Sequence, residues 1–275
     1  LFEEIYKKYG LEFSYTDTSS LENIIQSIRS NTKALFIETP SNPMMKVTDI
    51  RAVVKIAKAS NILTIVDNTF LTPYFQRPFE LGADIVVHSG TKYLGGHNDT
   101  LAGFIVVNDE GISEKIKFIQ KSVGSVLAPF DSWLILRGIK TLSVRIKAQE
   151  MNALAVASWL KTKPQIEKVY YVGLSDHEGY EISRKQASGF GSMISFTVRD
   201  VQLIKKILNG VKVIAFAESL GGVESLITYP AEQTHSAIPL EIRERLGVND
   251  KLLRLSVGIE AAEDIICDLE QAMEG

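Results

Sequence analysis

Through the first half of the chain, short apolar runs alternate with stretches whose apolar residues recur at helical spacing. KALFIE (33–38), ILTIVD (62–67), DIVVHS (84–89) and FIVV (104–107) read as strands. Between the first two, DIRAVVKIAKAS (49–60) carries the three- and four-residue spacing of a helix, with Asp49 placed to cap it or to favour its dipole. FQRPFELGA (75–83) predicts a short helix ending at Gly82. Near-continuous apolar strands separated by helices imply a parallel sheet covered on both faces. Right-handed crossovers then put the strand C-terminal ends on one edge.

The second half has a different pattern. A long helical region, DSWLILRG followed by TLSVRIKAQEMNALAVASWLKTKP, ends at Pro164. After it, KVYYVG, MISFTV, VIAFAES, SLITYP and LLRLSVGI read as strands, with helices predicted at 178–187, 201–209, 239–246 and 261–273. The change of pattern divides the chain near residue 150. Residues 1–150 read as an α/β domain with a mostly parallel sheet, and 151–275 as a smaller α+β domain.

Composition narrows the function. The 275 residues suffice for two modest domains, and the net charge of −3 argues against a nucleic-acid or anionic-membrane partner. No apolar run approaches the roughly 20 residues of a spanning helix. Cys267 is the single cysteine, so no internal disulfide or cysteine metal cluster can form. Its helical setting, AEDIICDLEQAM, reads as a buried, inert thiol. His97, His177 and His235 lack metal-ligand spacing, and His235, in QTHS, is a candidate for a place near the site. The chain opens on LFEEIYKKYG, without methionine and within what reads as an amphipathic helix, which suggests a fragment or a processed chain. No signal peptide is visible there, and the default expectation is a cytoplasmic protein.

Three polar segments follow the first three strands: ETPSNP, DNTF and HSGTK. Ligands of open α/β sheets sit beyond the strand C-termini, so three such loops converge on one crevice. A typical lysine lies on a solvated face. Lys92, just past a buried strand and partly desolvated, is instead suited to attack a carbonyl. Ser89 and Thr91 can hydrogen-bond phosphate oxygens, and Gly90 permits close approach. A phosphorylated aldehyde held by a lysine matches pyridoxal 5'-phosphate (PLP). Asp67 ends the preceding strand. It reads either as a turn residue or as the acid that keeps the cofactor's ring nitrogen protonated.

ETPSNP, VDNTF, HSGTKYLGGH, ESLGGVESL and LLRLSVGIE, in this order and spacing, resemble the trans-sulfuration enzymes, the Cys/Met-metabolism PLP family of cystathionine γ-synthase and the cystathionine lyases. The resemblance implies an aspartate-aminotransferase-like (fold type I) PLP-transferase fold and a homo-oligomer, a tetramer built as a dimer of dimers. By resemblance, Lys92 holds the cofactor aldehyde and shuttles protons, Asp67 partners the ring nitrogen, and Ser89 and Thr91 contact the phosphate. Asn42 lies beside the ring oxygen and the substrate carboxylate. Arg254 grips that carboxylate, Ser219 lies near the lysine amine and the carboxylate, and Glu218 stands where family members differ and an acid is associated with handling the distal amino group or with γ-chemistry. A structural ion pair is the alternative reading of Arg254. The family's N-terminal quarter supplies a phosphate loop, a ring-stacking tyrosine and groups donated to the neighbouring subunit. The match here starts after it, so the cofactor cup is expected to be incomplete within these residues. The implied substrate is a small sulfur-containing amino acid. Lyase and γ-synthase chemistry both stay open, as does an inactive fragment that only folds or associates.

Overall fold

The computed structural model describes residues 1–234 and 240–274. Helix α1 (Leu21–Ser27) begins at Ser20, whose hydroxyl accepts the Asn23 amide, and packs Ile24 inward. Strand β1 (Ala34–Glu38) follows, then α2 (Ile50–Ala59), capped by Asp49 accepting the Ala52 amide. Strand β2 (Leu63–Asp67) leads to a one-turn helix α3 (Thr72–Phe75) and a 3-10 turn (Pro78–Leu81) closed by Gly82. Of the helix predicted over 75–83 only the 3-10 turn Pro78–Leu81 forms, because α3 ends at Phe75 and Pro78 removes an amide that a continuous helix would need. Strand β3 (Ile85–Ser89) runs into a tight helical turn (Gly90–Leu94), and β4 (Gly103–Val107) returns.

The four strands form one sheet in the order β1-β2-β3-β4. The first three are parallel, with Glu38 opposite Asp67 and Asp67 opposite Val87. Strand β4 is antiparallel to β3, so the sheet is mostly parallel, as expected. The reason for the reversal is the connection: the chain turns back from β3 through a loop, with no crossover helix to restore direction. Cover is less than expected. Helices α1 and α2 pack one face through Ile24, Ile37 and Val53, whereas Phe36 and Ile105 are each at least half exposed. The opening LFEEIYKKYG forms turns and a 3-10 helix (Tyr6–Tyr9) with no buried residue. Its amphipathic spacing does not produce an α-helix there, since none of its side chains reaches a core.

Helices α4 (Glu110–Val123), α5 (Pro129–Ile139) and α6 (Leu142–Leu160) then lead to the second sheet. Helix α6 runs straight through residue 150 and buries Ala153, Val156, Ala157 and Leu160. The strands β5 (Ile166–Tyr170), β6 (Met193–Val198), β7 (Ala215–Phe216), β8 (Leu226–Thr228) and β9 (Leu252–Ser256) are ordered β5-β6-β9-β8-β7. Every pair is antiparallel except β7 with β8. Helices α7 (Tyr180–Gln186), α8 (Gln202–Gly210), α9 (Leu240–Arg245) and α10 (Ala262–Glu274) complete this half. VIAFAES yields only the two-residue β7, exposed at the sheet edge; the rest is a loop leading toward Ser219. The main core joins α6, α8 and α10 to β6 and β9 through Ile194, Phe196, Ile207, Leu253, Leu255 and Leu269.

Helix α10 buries Ile265, Asp268, Leu269, Ala272 and Met273, which turns Cys267 outward. The thiol is exposed, not buried as expected. Asp268 is nearly enclosed, and its carboxylate accepts the amides of Lys212, Val213 and Ile214 at 2.8, 2.9 and 2.9 Å. An alanine there strands these amides. Asp268→Ala is expected to lower unfolding free energy by about 3 kcal/mol, read from a urea midpoint.

Candidate active site

The strand register builds the site. Because β1 and β2 are parallel and Glu38 faces Asp67, two carboxylates stand side by side at the same sheet edge. The Asp67 carboxylate accepts the Thr69 amide at 2.9 Å, and the Thr69 hydroxyl accepts the Ser89 amide at 2.8 Å. The loop after β2 is thereby tied to the end of β3. Ser89 keeps its hydroxyl free of protein partners among the described residues.

The turn that follows is close-packed. A Cβ on Gly90 would lie 2.5 Å from the Phe104 ring and 2.9 Å from the Ala102 methyl, so glycine is required by the neighbouring strand. Thr91 bonds the same strand entrance: its hydroxyl accepts the Ala102 amide at 3.1 Å and donates to the Ala102 carbonyl at 3.3 Å. Lys92 then leaves helical geometry at φ −92°, ψ −127°. Its Nζ donates to Ser219 Oγ at 3.4 Å. Burial, with the Arg254 guanidinium alongside, holds the Lys92 amine below the usual lysine range.

Arg254 enters from β9 and is 2% exposed. Nη1 donates to Asn42 Oδ1 at 3.0 Å; Nη2 donates to the Ser219 carbonyl at 2.9 Å and to Thr228 Oγ1 at 3.0 Å. All three acceptors are neutral, which sets aside the structural ion pair. The buried Nε has no hydrogen-bond partner among the described residues. Burial lowers the guanidinium to about 10, against the opposing pull of Tyr93, Glu218 and Glu38. A buried cation held only by neutral groups, with a spare N–H, favours an anionic guest.

The structure thus joins Asn42, Lys92, Ser219 and Arg254 by direct hydrogen bonds. Asp67 and Ser89 share their sheet edge through Thr69. Thr91 is turned onto β4, and Glu218 lies exposed at the rim, close enough for its charge to act on Arg254. His235 lies outside the described residues. Two groups were not singled out from sequence. Glu38 lies within ETPSNP at the place Asp67 holds in its own strand, and that equivalence was the available signal. It stays partly open to solvent, yet surrounding protein and the neighbouring Asp67 raise its carboxyl to about 7, while the Asn42 amide and Arg254 oppose the rise. Asn98 is the other; it reaches Ser219 from just beyond the lysine turn.

Glycines weld the loop carrying Ser219 to the lysine turn. Gly221, at φ +75°, would place a Cβ 2.8 Å from the Tyr93 amide. The Val223 amide donates to the Gly96 carbonyl at 3.0 Å, and Gln149 Nε2 to the Gly222 carbonyl at 2.7 Å. A turn from the first sheet and a loop from the second become one wall.

A family model described as Cys/Met metabolism PLP-dependent enzyme matches residues 1–274. The chain belongs to that family. It is 50% identical over 274 residues to a cystathionine beta-lyase of Lactococcus lactis subsp. cremoris, covering 100% of this chain and 72% of that protein. A cystathionine gamma-synthase/O-acetylhomoserine (thiol)-lyase of Bacillus subtilis is 50% identical over 273 residues, 99% of this chain and 69% of the other. Among solved structures, a cystathionine gamma-lyase from Lactobacillus plantarum complexed with L-serine superposes with a TM-score of 0.96 at 43% identity, covering 99% of this chain and 72% of that one. This chain is therefore an α/β PLP-dependent enzyme with a mostly parallel sheet in its first half. Its residues suit the cofactor: a depressed amine for the aldehyde, a strand-end carboxylate and an unengaged serine hydroxyl. Among the described residues no three His, Cys, Asp or Glu side chains group to hold a metal ion, and no helix is long and apolar enough to cross a membrane.

Proposed function

We propose that the chain is a PLP-dependent C–S lyase of sulfur amino-acid metabolism with cystathionine as its substrate. The observation that carries this reading is the Lys92 amine on Ser219 Oγ, beside a buried Arg254 with a spare N–H. When bound, PLP supplies an aldehyde for amines and a ring that takes up the electron pair left at Cα. Lys92 holds that aldehyde at rest and gives it up to the substrate amine. The freed Lys92, whose amine burial holds below the usual lysine range, then removes the Cα proton. Asp67 holds the ring nitrogen protonated, and the Ser89 hydroxyl serves the phosphate, whereas the Thr91 hydroxyl is spent on Ala102. Arg254 and Asn42 fix the α-carboxylate, so that the Cα–H bond points toward Lys92. Glu218, exposed at the rim, is the acid for the substrate's distal amino group or for γ-chemistry.

As the Cβ–S bond breaks, sulfur keeps its electron pair, takes the proton that Lys92 removed from Cα and leaves as a thiol. Water completes the release of pyruvate and ammonia, and the thiol is homocysteine. The 50% identity to the gamma-synthase/thiol-lyase supports a second reading, cystathionine formation from an acylated homoserine and cysteine. A product assay separates them: pyruvate from cystathionine supports the lyase, and cystathionine from cysteine supports the synthase. A colourless preparation given excess PLP would sink both and leave a chain that only folds or associates. We further read the protein as cytoplasmic and as a homo-oligomer, a dimer of dimers. The exposed apolar row Phe130, Trp133 and Leu136 on α5 supports association.

Glu38 gives a pH signature. Below about 7 its carboxyl is neutral and leaves Arg254 free for the substrate. Above that pH it ionises and competes for the guanidinium. The wild-type kcat/KM should therefore fall by a few-fold as pH rises through this range. Glu38→Gln should flatten that limb, and a pH–kcat/KM profile of both proteins checks it.

A further inference from the structure

Asn98 follows the lysine turn in a left-handed conformation at φ 54°. Its amide is fixed at both ends. Nδ2 donates to Glu224 Oε2 at 2.9 Å, and Oδ1 accepts the Ser219 hydroxyl at 3.3 Å. A carboxylate only accepts, so Glu224 selects the amide nitrogen and turns the oxygen toward Ser219. The Ser219 hydroxyl owns one proton. With that proton committed to Asn98, only lone pairs face Lys92, whose Nζ donates to the same oxygen at 3.4 Å. The local backbone leaves room for this amide: a Cβ on Gly222 would fall 2.2 Å from Asn98 Nδ2.

We propose that Asn98 is a positioning residue of the active site, acting through Ser219 to make that hydroxyl an obligatory acceptor for the Lys92 amine. This rests on the reading of Lys92 as the base. An acceptor favours the amine that carries the extra proton, the form Lys92 reaches on removing hydrogen from Cα. Arg254, from β9, opposes that form by its charge. Glu224, in the loop before β8, lies behind the Asn98 amide. Asn98 therefore supplies a dipole that works against Arg254 at the moment of proton transfer.

Two variants test the chain of bonds. Asn98→Gly deletes the amide and keeps a left-handed backbone comfortable; Asn98→Asp combined with Glu224→Gln retains an oxygen acceptor, because the new amide donates to the new carboxylate. In cofactor-free protein, trace labelling with acetic anhydride across a pH series, read by mass spectrometry of the Lys92 peptide, gives the pKa of that amine. It should fall in Asn98→Gly and stay at or above wild type in the Asn98→Asp, Glu224→Gln double variant. In the holoenzyme, Asn98→Gly should lower kcat roughly tenfold with KM little changed, the cost of about one hydrogen bond, and the Asn98→Asp, Glu224→Gln double variant should retain most of it. An unchanged Lys92 pKa in Asn98→Gly overturns the proposal whatever happens to kcat. Equal losses of kcat in both variants with normal Lys92 titration would mark a purely structural role and overturn it too. A wild-type chain that binds no cofactor refutes the catalytic reading instead, and the labelling result still decides the role of Asn98.

Discussion

Lys92→Ala should lower kcat by roughly 10⁴-fold, because one side chain both holds the cofactor and moves the proton. Alanine leaves the rest of the constellation in place. Ser219 loses the Nζ that donates to its hydroxyl at 3.4 Å, while Arg254 keeps Asn42, Thr228 and the Ser219 carbonyl. The defect should therefore fall on chemistry more than on substrate binding, with KM changed far less than kcat. Three measurements check it. Steady-state assays give the split, the visible absorbance of the protein reports the bound aldehyde, and borohydride reduction with peptide mapping places the cofactor. Wild-type protein should carry the label on Lys92, and Lys92→Ala should carry none. A variant that retains both colour and turnover would remove Lys92 from the mechanism.

Arg254→Leu should cut kcat/KM by roughly 10³-fold, chiefly through KM, from the loss of charge-assisted bonds to the substrate carboxylate. The deleted guanidinium also releases Asn42 Oδ1 and Thr228 Oγ1, its neutral partners. Part of the loss thus comes from a loosened Asn42, which we place on the same carboxylate. Arg254→Lys is the sharper comparison. An ammonium keeps the charge but cannot reach Asn42, Thr228 and a carboxylate in one planar fork, so it should recover only a minor share. Circular dichroism and thermal denaturation establish that each variant is folded before its kinetics are compared.

The first three strands and the loops at their ends were legible because parallel strands are uniformly apolar and finish on polar residues. Lys92 and Asp67 became candidates from those endings, with a turn reading of Asp67 still open. The direction of β4 was not legible, since FIVV reads the same in either orientation and only the absent crossover decides it. Helix α4 went unassigned, and it buries no residue. LFEEIYKKYG shows the converse, a helical pattern without a core contact to fix it. Cys267 was misplaced because it neighbours the buried Ile265 and Asp268 in sequence yet lies on the other side of α10. The polar links of the site were hidden for another reason. Lys92 meets Ser219 across 127 positions, and Asn42 meets Arg254 across 212. Resemblance grouped these residues in a common role, but only packing shows which atom donates to which. Glu38 and Asn98 entered with the packing, as neighbours of neighbours.

The weld between the Ser219 loop and the lysine turn makes the site a joint property of two separately built sheets. Neither half holds a complete set: Lys92, Asp67 and Asn42 come from one, Ser219 and Arg254 from the other. A guest that binds only the assembled pair draws its affinity from their docking and strengthens that docking in return. The colour of the protein would then report how the two halves sit together. Strain at the Val223–Gly96 seam should bleach it while both sheets remain folded.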